Sequence, residues 1–154
     1  MKNNPLFQNL NEEEYEKFIA IFTKKIIQKN NTILKEGELN DTAFLLLAGK
    51  VSASKESIYG DDYVLTSIKA GGEEFFGEIN LIDKGKNTST IKSIEDCEIL
   101  SVTSDELKNF MDKNPIIGYK IMTYLSNSLT KHLRQADKDA ITLFNALVEI
   151  VEND

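Results

Sequence analysis

The sequence predicts a mainly β domain, a sandwich or barrel, flanked by helices on both sides. Three observations predict it. Short runs rich in β-forming residues recur from Ile26 to Leu100, separated by turns that carry Gly and Asn. Apolar residues at helical spacing precede Ile26 and return after Thr103. From Leu129 to Ile150 apolar residues alternate four and three apart. At 154 residues with 41% hydrophobic content, the chain can bury one domain's core.

The elements follow in order. Asn11 is placed to cap a first helix, and Glu12, Glu13 and Glu14 suit the positive end of its dipole. Tyr15, Phe18, Ile19 and Phe22 give that helix one apolar face. The β runs are Ile26-Ile27, Thr32 to Leu34, Phe44 to Leu47, Val51, Tyr63 to Leu65, Phe75-Phe76, Thr90-Ile91 and Ile99-Leu100. Turn signals lie at Asn30-Asn31, Glu36-Gly37-Glu38, Gly49, Gly60-Asp61-Asp62 and Gly71-Gly72. Ser104 can cap a helix through Phe110 and Met111. Asn114-Pro115 breaks it, and Pro115 can open the next.

Beyond Gly118 no Gly or Pro interrupts the chain. Leu129, Leu133, Ala136, Ala140, Leu143, Leu147 and Ile150 form an a/d seam. An unbroken helix from Pro115 to about Val151 would be roughly 55 Å long, too long to bury against its own domain. A partner helix, and so a homodimer, is expected. Two shorter helices folding back near Gln135 to Lys138 are the alternative. Phe144, Ala146, Val148 and Val151 widen the apolar face beyond a two-stranded seam.

Composition excludes several functions. There is one histidine (His132), one cysteine (Cys97) and one arginine (Arg134). A single His and a single Cys cannot build His/Cys metal sites, and no intrachain disulfide is possible. No EF-hand spacing of carboxylates occurs. The net charge of −7 disfavours nucleic acid as the main partner. No signal-peptide core and no membrane-spanning run is present, so a cytoplasmic location without membrane contact is expected. No Walker loop, Rossmann glycine pattern or nucleophile–base pair points to an enzyme.

The segment Phe76-Gly77-Glu78-Ile79-Asn80-Leu81 carries the functional signal. Gly77 permits close backbone approach to a ligand. Glu78 to Leu81 can form one helical turn whose free amides attract an anion. Thr88, Ser89 and Thr90 add hydroxyls nearby. Together they read as a cassette for one phosphate and one sugar.

With Glu36-Gly37-Glu38, Gly49 and Asn40 to Phe44, this segment resembles the cyclic-nucleotide-binding domain family, the sensor module of catabolite-activator-type regulators. The likeness covers about residues 6 to 135. It implies a double-stranded β-helix or jelly roll, with residues 1–113 as helix and β-roll sensor and 114–154 as a helical dimerisation segment of the same domain. It implies cyclic AMP or cyclic GMP as ligand, with Gly77, Glu78, Ile79, Asn80, Asn87, Thr88 and Ser89 at the site. Glu78 would accept a hydrogen bond from the ribose 2′-hydroxyl. Thr130, Ser126 and Ser128 lie on the helix that covers the base in the family, and Thr130 is the candidate contact.

One position departs from the family. About ten residues after the Gly-Glu pair, the family places an arginine on the cyclic phosphate, and this chain has Asn87. Arginine offers charge-assisted bonds worth about 1.5–3 kcal/mol each, whereas asparagine cancels no charge. Two functions therefore stand. One is a sensor that binds a cyclic nucleotide or a related small anion and signals through the dimer helix to a protein partner. The other is a degenerate, ligand-free dimerisation or interaction module, its pocket empty or filled by its own side chains.

The remaining residues read more plainly. Lys84, Lys86 and Lys92 flank the cassette and read as solvated surface lysines, with service as substitute cations the alternative. Arg134 is expected to pair with Asp137 on the surface. His132 is expected to be a surface residue, Cys97 to pack before a strand, and Glu73-Glu74 to form a solvated turn. Family transcription factors continue into a winged helix of about 70 residues. Asp137 to Asp154 is acidic and too short for one, so no direct DNA reading is expected.

Overall fold

The computed structural model describes residues 6–57, 59–71 and 75–152. The predicted Glu73-Glu74 turn lies outside them. Helix α1 (Glu12–Ile19) starts on a capping box. The Glu14 amide donates to Asn11 Oδ1 and the Asn11 amide to Glu14 Oε2, both at 2.9 Å. Two orphan donors are satisfied in this way. Tyr15 and Phe18 are buried, and Phe7 packs edge-on against Tyr15 with ring centroids 5.2 Å apart.

Eight strands follow: β1 (Thr23–Ile27), β2 (Thr32–Leu34), β3 (Thr42–Ala48), β4 (Lys50–Glu56), β5 (Asp62–Lys69), β6 (Phe75–Phe76), β7 (Thr90–Ser93) and β8 (Cys97–Thr103). They form two four-stranded sheets, β1-β8-β3-β6 and β2-β7-β4-β5. All pairings are antiparallel. This is the expected jelly roll.

The sheet containing β3 is covered on both faces, which explains the unbroken apolar run Phe44 to Leu47. Phe44 and Leu46 point into the space between the sheets, with Val51, Ile91 and Ile99. Ala43 and Leu45 point to the helices, beside Phe18, Leu107, Ile117, Ile121 and Leu125. Strand alternation sorts one strand's residues between two cores. Gly49, between β3 and β4, is fixed by space and conformation together. Its φ is +89°, and a Cβ there would lie 2.3 Å from the Asp96 carbonyl oxygen.

Helix α2 (Asn80–Asp83) is a single turn after β6. The anticipated turn from Glu78 to Leu81 is thus displaced by two residues. Helix α3 (Ser104–Lys113) is capped by Thr103, one residue before the predicted cap. Ser104 instead donates its hydroxyl to the Leu81 carbonyl at 2.8 Å and ties α3 to α2. Asn114 ends α3, and Pro115 opens α4 (Pro115–Glu152).

The 38 residues of α4 form one unbroken helix about 57 Å long. The fold-back near Gln135 does not occur. Its first turns belong to the core, where Ile117, Ile121 and Leu125 are buried. Lys120 binds Glu14 of α1 at 2.6 Å. From Lys131 onward every described side chain of α4 is exposed.

Candidate functional site

The cassette begins where β6 meets β3. Phe76 pairs with Phe44, and their rings stack 5.5 Å apart. The chain then turns at Gly77, whose φ is +76°. A Cβ there would lie 3.0 Å from the Thr42 carbonyl oxygen, so glycine is required to bring the turn against β3.

The backbone amides of the turn are largely spent within it. Asn80, Leu81 and Ile82 donate to the carbonyls of Gly77, Glu78 and Ile79 at 3.2, 3.2 and 3.0 Å. The Glu78 amide bonds its own carboxyl. The expected array of free amides is therefore reduced. A turn this short closes its own hydrogen bonds instead of presenting them.

Asn87 departs furthest from the anion-donor role. It is buried, and its side chain joins two other segments. Its Oδ1 accepts from Asn80 Nδ2 at 2.6 Å, and its Nδ2 donates to the Lys35 carbonyl at 2.8 Å. Its backbone is tied too: the Asn87 amide donates to the Glu38 carbonyl and its carbonyl accepts from Gly37, both at 2.9 Å. Asn80, likewise buried, is held by this relay. Thr88 is exposed and Ser89 half-buried beyond it. Thr90 Oγ1 accepts from the Glu36 amide at 3.1 Å.

Glu78 is also engaged. Its carboxylate is 9% exposed, and Oε1 lies 3.4 Å from His132 Nδ1. Burial pushes the Glu78 carboxyl above the usual carboxylate range, while its own amide and His132 pull it back. The contact follows from helix geometry. His132 stands seven residues past Leu125, so after two turns it returns to within about 20° of the face that α4 presents to its own body. His132 was expected as a surface residue only. The signal for its role was this spacing from the apolar face that includes Ile121 and Leu125.

Thr130 does not meet the cassette. It is exposed and donates its hydroxyl to the Ser126 carbonyl at 2.8 Å, the back-bonding common for threonine in helices. Together with Ser128 it lines a hollow beside Gln8 and Asn9 instead. The helix phase puts His132, two residues on, opposite Glu78.

The flanking lysines behave as surface residues. Lys84 pairs with Asp105 at 2.6 Å, Lys92 pairs with Asp62 at 2.9 Å, and Lys86 is exposed. The expected Arg134–Asp137 pair is not formed; Arg134 lines the same hollow as Thr130. Cys97 opens β8 and is buried, its thiol donating to the Lys50 and Glu95 carbonyls. Burial is the main cause raising its pKa, so it is a packed thiol. Among the described residues no group of three metal-ligating side chains occurs, and no helix is long and apolar enough to cross a membrane.

Residues 24–114 match the family model of the cyclic nucleotide-binding domain, well over half of the chain. The chain belongs to the cyclic nucleotide-binding domain family. The cyclic AMP receptor protein of Thermus thermophilus is 26% identical over 137 residues, which cover 89% of this chain and 61% of that one. The crystal structure of the Thermus thermophilus catabolite activator protein aligns at a TM-score of 0.81 and 26% identity, covering 91% of this chain and 63% of that one. A regulatory subunit of cAMP-dependent protein kinase from Mucor circinelloides is 29% identical over 96 residues, covering 62% of this chain and 21% of its own. The relatives are thus regulatory proteins by name. This chain spans about three fifths of the length of the two Thermus proteins and about a fifth of the Mucor subunit.

The Glu78 environment gives a pH dependence with a definite sign. A carboxyl raised by burial favours the folded state while protonated and opposes it once ionised. Glu78→Gln should therefore raise the melting temperature at about pH 7.5, and the gain should shrink as pH falls through about 4. Thermal unfolding of both proteins across this range checks it. A gain that grows toward acid pH contradicts the assignment.

Proposed function

We propose that this chain is a regulatory module of the cyclic nucleotide-binding domain family that acts by pairing through α4, with its cassette occupied by its own side chains. One observation carries this reading. The polar side chains at the sugar and phosphate positions are already partnered: Glu78 with His132, and Asn80 with Asn87, which in turn holds the Lys35 carbonyl.

The energetics favour the internal partners. To serve a phosphate, Asn87 would abandon its bonds to buried Asn80 and to the Lys35 carbonyl, at about 1–3 kcal/mol for a buried group left unsatisfied. In return it offers one neutral donor. An arginine at that position would add about 1.5–3 kcal/mol per charge-assisted bond. At about 1.4 kcal/mol per tenfold, cyclic-nucleotide affinity is expected to fall by roughly a hundredfold or more from what an arginine would give.

Pairing through α4 rests on its exposed seam. Leu133, Leu143, Leu147 and Ile150 are each more than 60% exposed in one copy. Ala136 and Ala140 lie between them on the same stripe and let helices approach closely. Ala136 follows His132 by one helical turn, so the stripe continues along α4 beyond the contact with Glu78. Signalling passes to a protein partner through the paired helices.

Calorimetry with cyclic AMP and cyclic GMP tests the cassette. The full chain should give no saturable heat up to about 1 mM, a weak-binding ceiling near −4 kcal/mol. Asn87→Arg should gain heat. Saturable micromolar binding by the unaltered chain would return the cassette to nucleotide sensing.

Sedimentation tests the pairing. The full chain should run as a dimer at tens of micromolar, and Leu143→Asp with Leu147→Asp should run as a folded monomer. A monomeric full chain would sink the pairing. Both leucines are exposed in a single copy, so the change spares the domain core.

A further inference from the structure

The apolar face of α4 is wider than a two-stranded pair uses, but only beyond Ala140. Asn127, Thr130, Arg134, Asp137, Ile141, Phe144, Val148 and Val151 follow one another three and four residues apart. They form a second stripe beside the Leu129 to Ile150 seam. This stripe is polar through Asp137 and apolar from Ile141 on. We infer that its apolar part joins two α4 pairs through their distal turns, as an antiparallel four-helix bundle, so that the chain forms a dimer of dimers. The inference rests on the α4 pairing proposed above and extends it.

The angle between the two stripes is the first reason. Ile141, Phe144, Val148 and Val151 each follow a seam residue by one position, which sets the stripes about 100° apart round the helix. In a two-stranded pair a helix meets one neighbour, and its positions on this second stripe are left to solvent. In a four-helix bundle each helix meets two neighbours, about 90° apart. The distal turns carry the second apolar face that such a bundle needs, and the proximal turns do not.

Access is the second reason. Ile141, Phe144 and Val151 are each more than 60% exposed in one copy, and Val148 is exposed between them. Sixteen residues separate Ile141 from buried Leu125, so Ile141 lies about 24 Å farther along the axis and about 160° round the helix. The apolar stripe therefore faces away from the domain and clears it, and another helix can lie along it.

A second pair of the same helices is the occupant that fits. The stripe matches itself. Antiparallel overlap centred on residue 146 sets Ile141 opposite Val151 and Phe144 opposite Val148, a larger side chain against a smaller one at each level. Such a contact is isologous, and two isologous contacts at right angles close as a tetramer with no open end. Charge selects the antiparallel sense. After Lys138 the chain carries acidic residues and no basic one. A parallel second contact would set each carboxylate level with its copies. Antiparallel overlap staggers them and opposes the helix dipoles. It also sends the two pairs of domains to opposite ends.

Sedimentation of the full chain from about 10 μM to about 1 mM tests it, and should show a dimer giving way to a tetramer across that range. Ile141→Asp with Val148→Asp should remain a dimer throughout. Both residues are exposed and lie outside the seam, so the change spares the core and the first contact. Small-angle scattering should give the tetramer a longest dimension about half again that of the dimer, because helices about 57 Å long that overlap only in their distal turns span about 90 Å. A dimer that persists to the highest concentration overturns the proposal and leaves the pairing intact. A monomer throughout defeats the pairing on which it rests. A double variant that still forms tetramers overturns it, since the stripe is then idle. One that falls to monomers does so too, since the stripe then belongs to the first contact. A tetramer no longer than the dimer overturns the antiparallel arrangement.

Discussion

The hydrogen-bond relay through Asn87 is the contact on which the cassette's shape depends. Its side chain joins α2 to the chain between β2 and β3, and its backbone brackets the same loop from the other side. Helix α2 is one turn long, with no side-chain cap, and a helix so short has no stability of its own. The tertiary ties from Asn87 and Ser104 hold it in place. With α2 fixed, Gly77 sits against β3, Glu78 is buried at its edge, and His132 of α4 can meet it. Asn87, expected from the resemblance to stand at the phosphate contact, gives the loop its architecture.

Much of the fold was legible because its signals are local. All eight β runs became strands, since β-formers bounded by turn residues specify short strands with little help from the rest of the chain. The apolar run Phe44 to Leu47 already implied burial on both faces. Asn11 and Pro115 marked helix starts through capping and fixed φ, which are single-residue effects. The cap of α3 falls on Thr103, one residue before Ser104, because both have the same capping chemistry and Ser104 makes a tertiary bond to Leu81 instead.

The site was less legible, because its contacts join distant parts of the chain. Asn87 was recognised as an unusual residue at an important position. That it would be buried and bonded to Lys35, 52 positions away, could not be read from spacing. Thr130 drew attention through its hydroxyl and its place on the covering helix. The phase of α4 instead turned His132 to the cassette, and Thr130 closed on its own helix. The phase was available from Ile121 and Leu125, but only once these were known to face the body.

Helix α4 illustrates how one element divides its surface. Ile117, Ile121, Leu125 and His132 face the domain, the Leu133 to Ile150 seam is left uncovered in one copy, and the polar stripe ending at Arg134 borders the N-terminal segment. Self-occupation of the cassette is tested most directly by NMR of the Asn87 side-chain amide. With cyclic AMP at about 1 mM, its signal should stay unshifted and exchange slowly with solvent, as for a buried group bonded to Lys35 and Asn80. A shift that saturates with added nucleotide would mean that Asn87 leaves those partners for the ligand, and would contradict it.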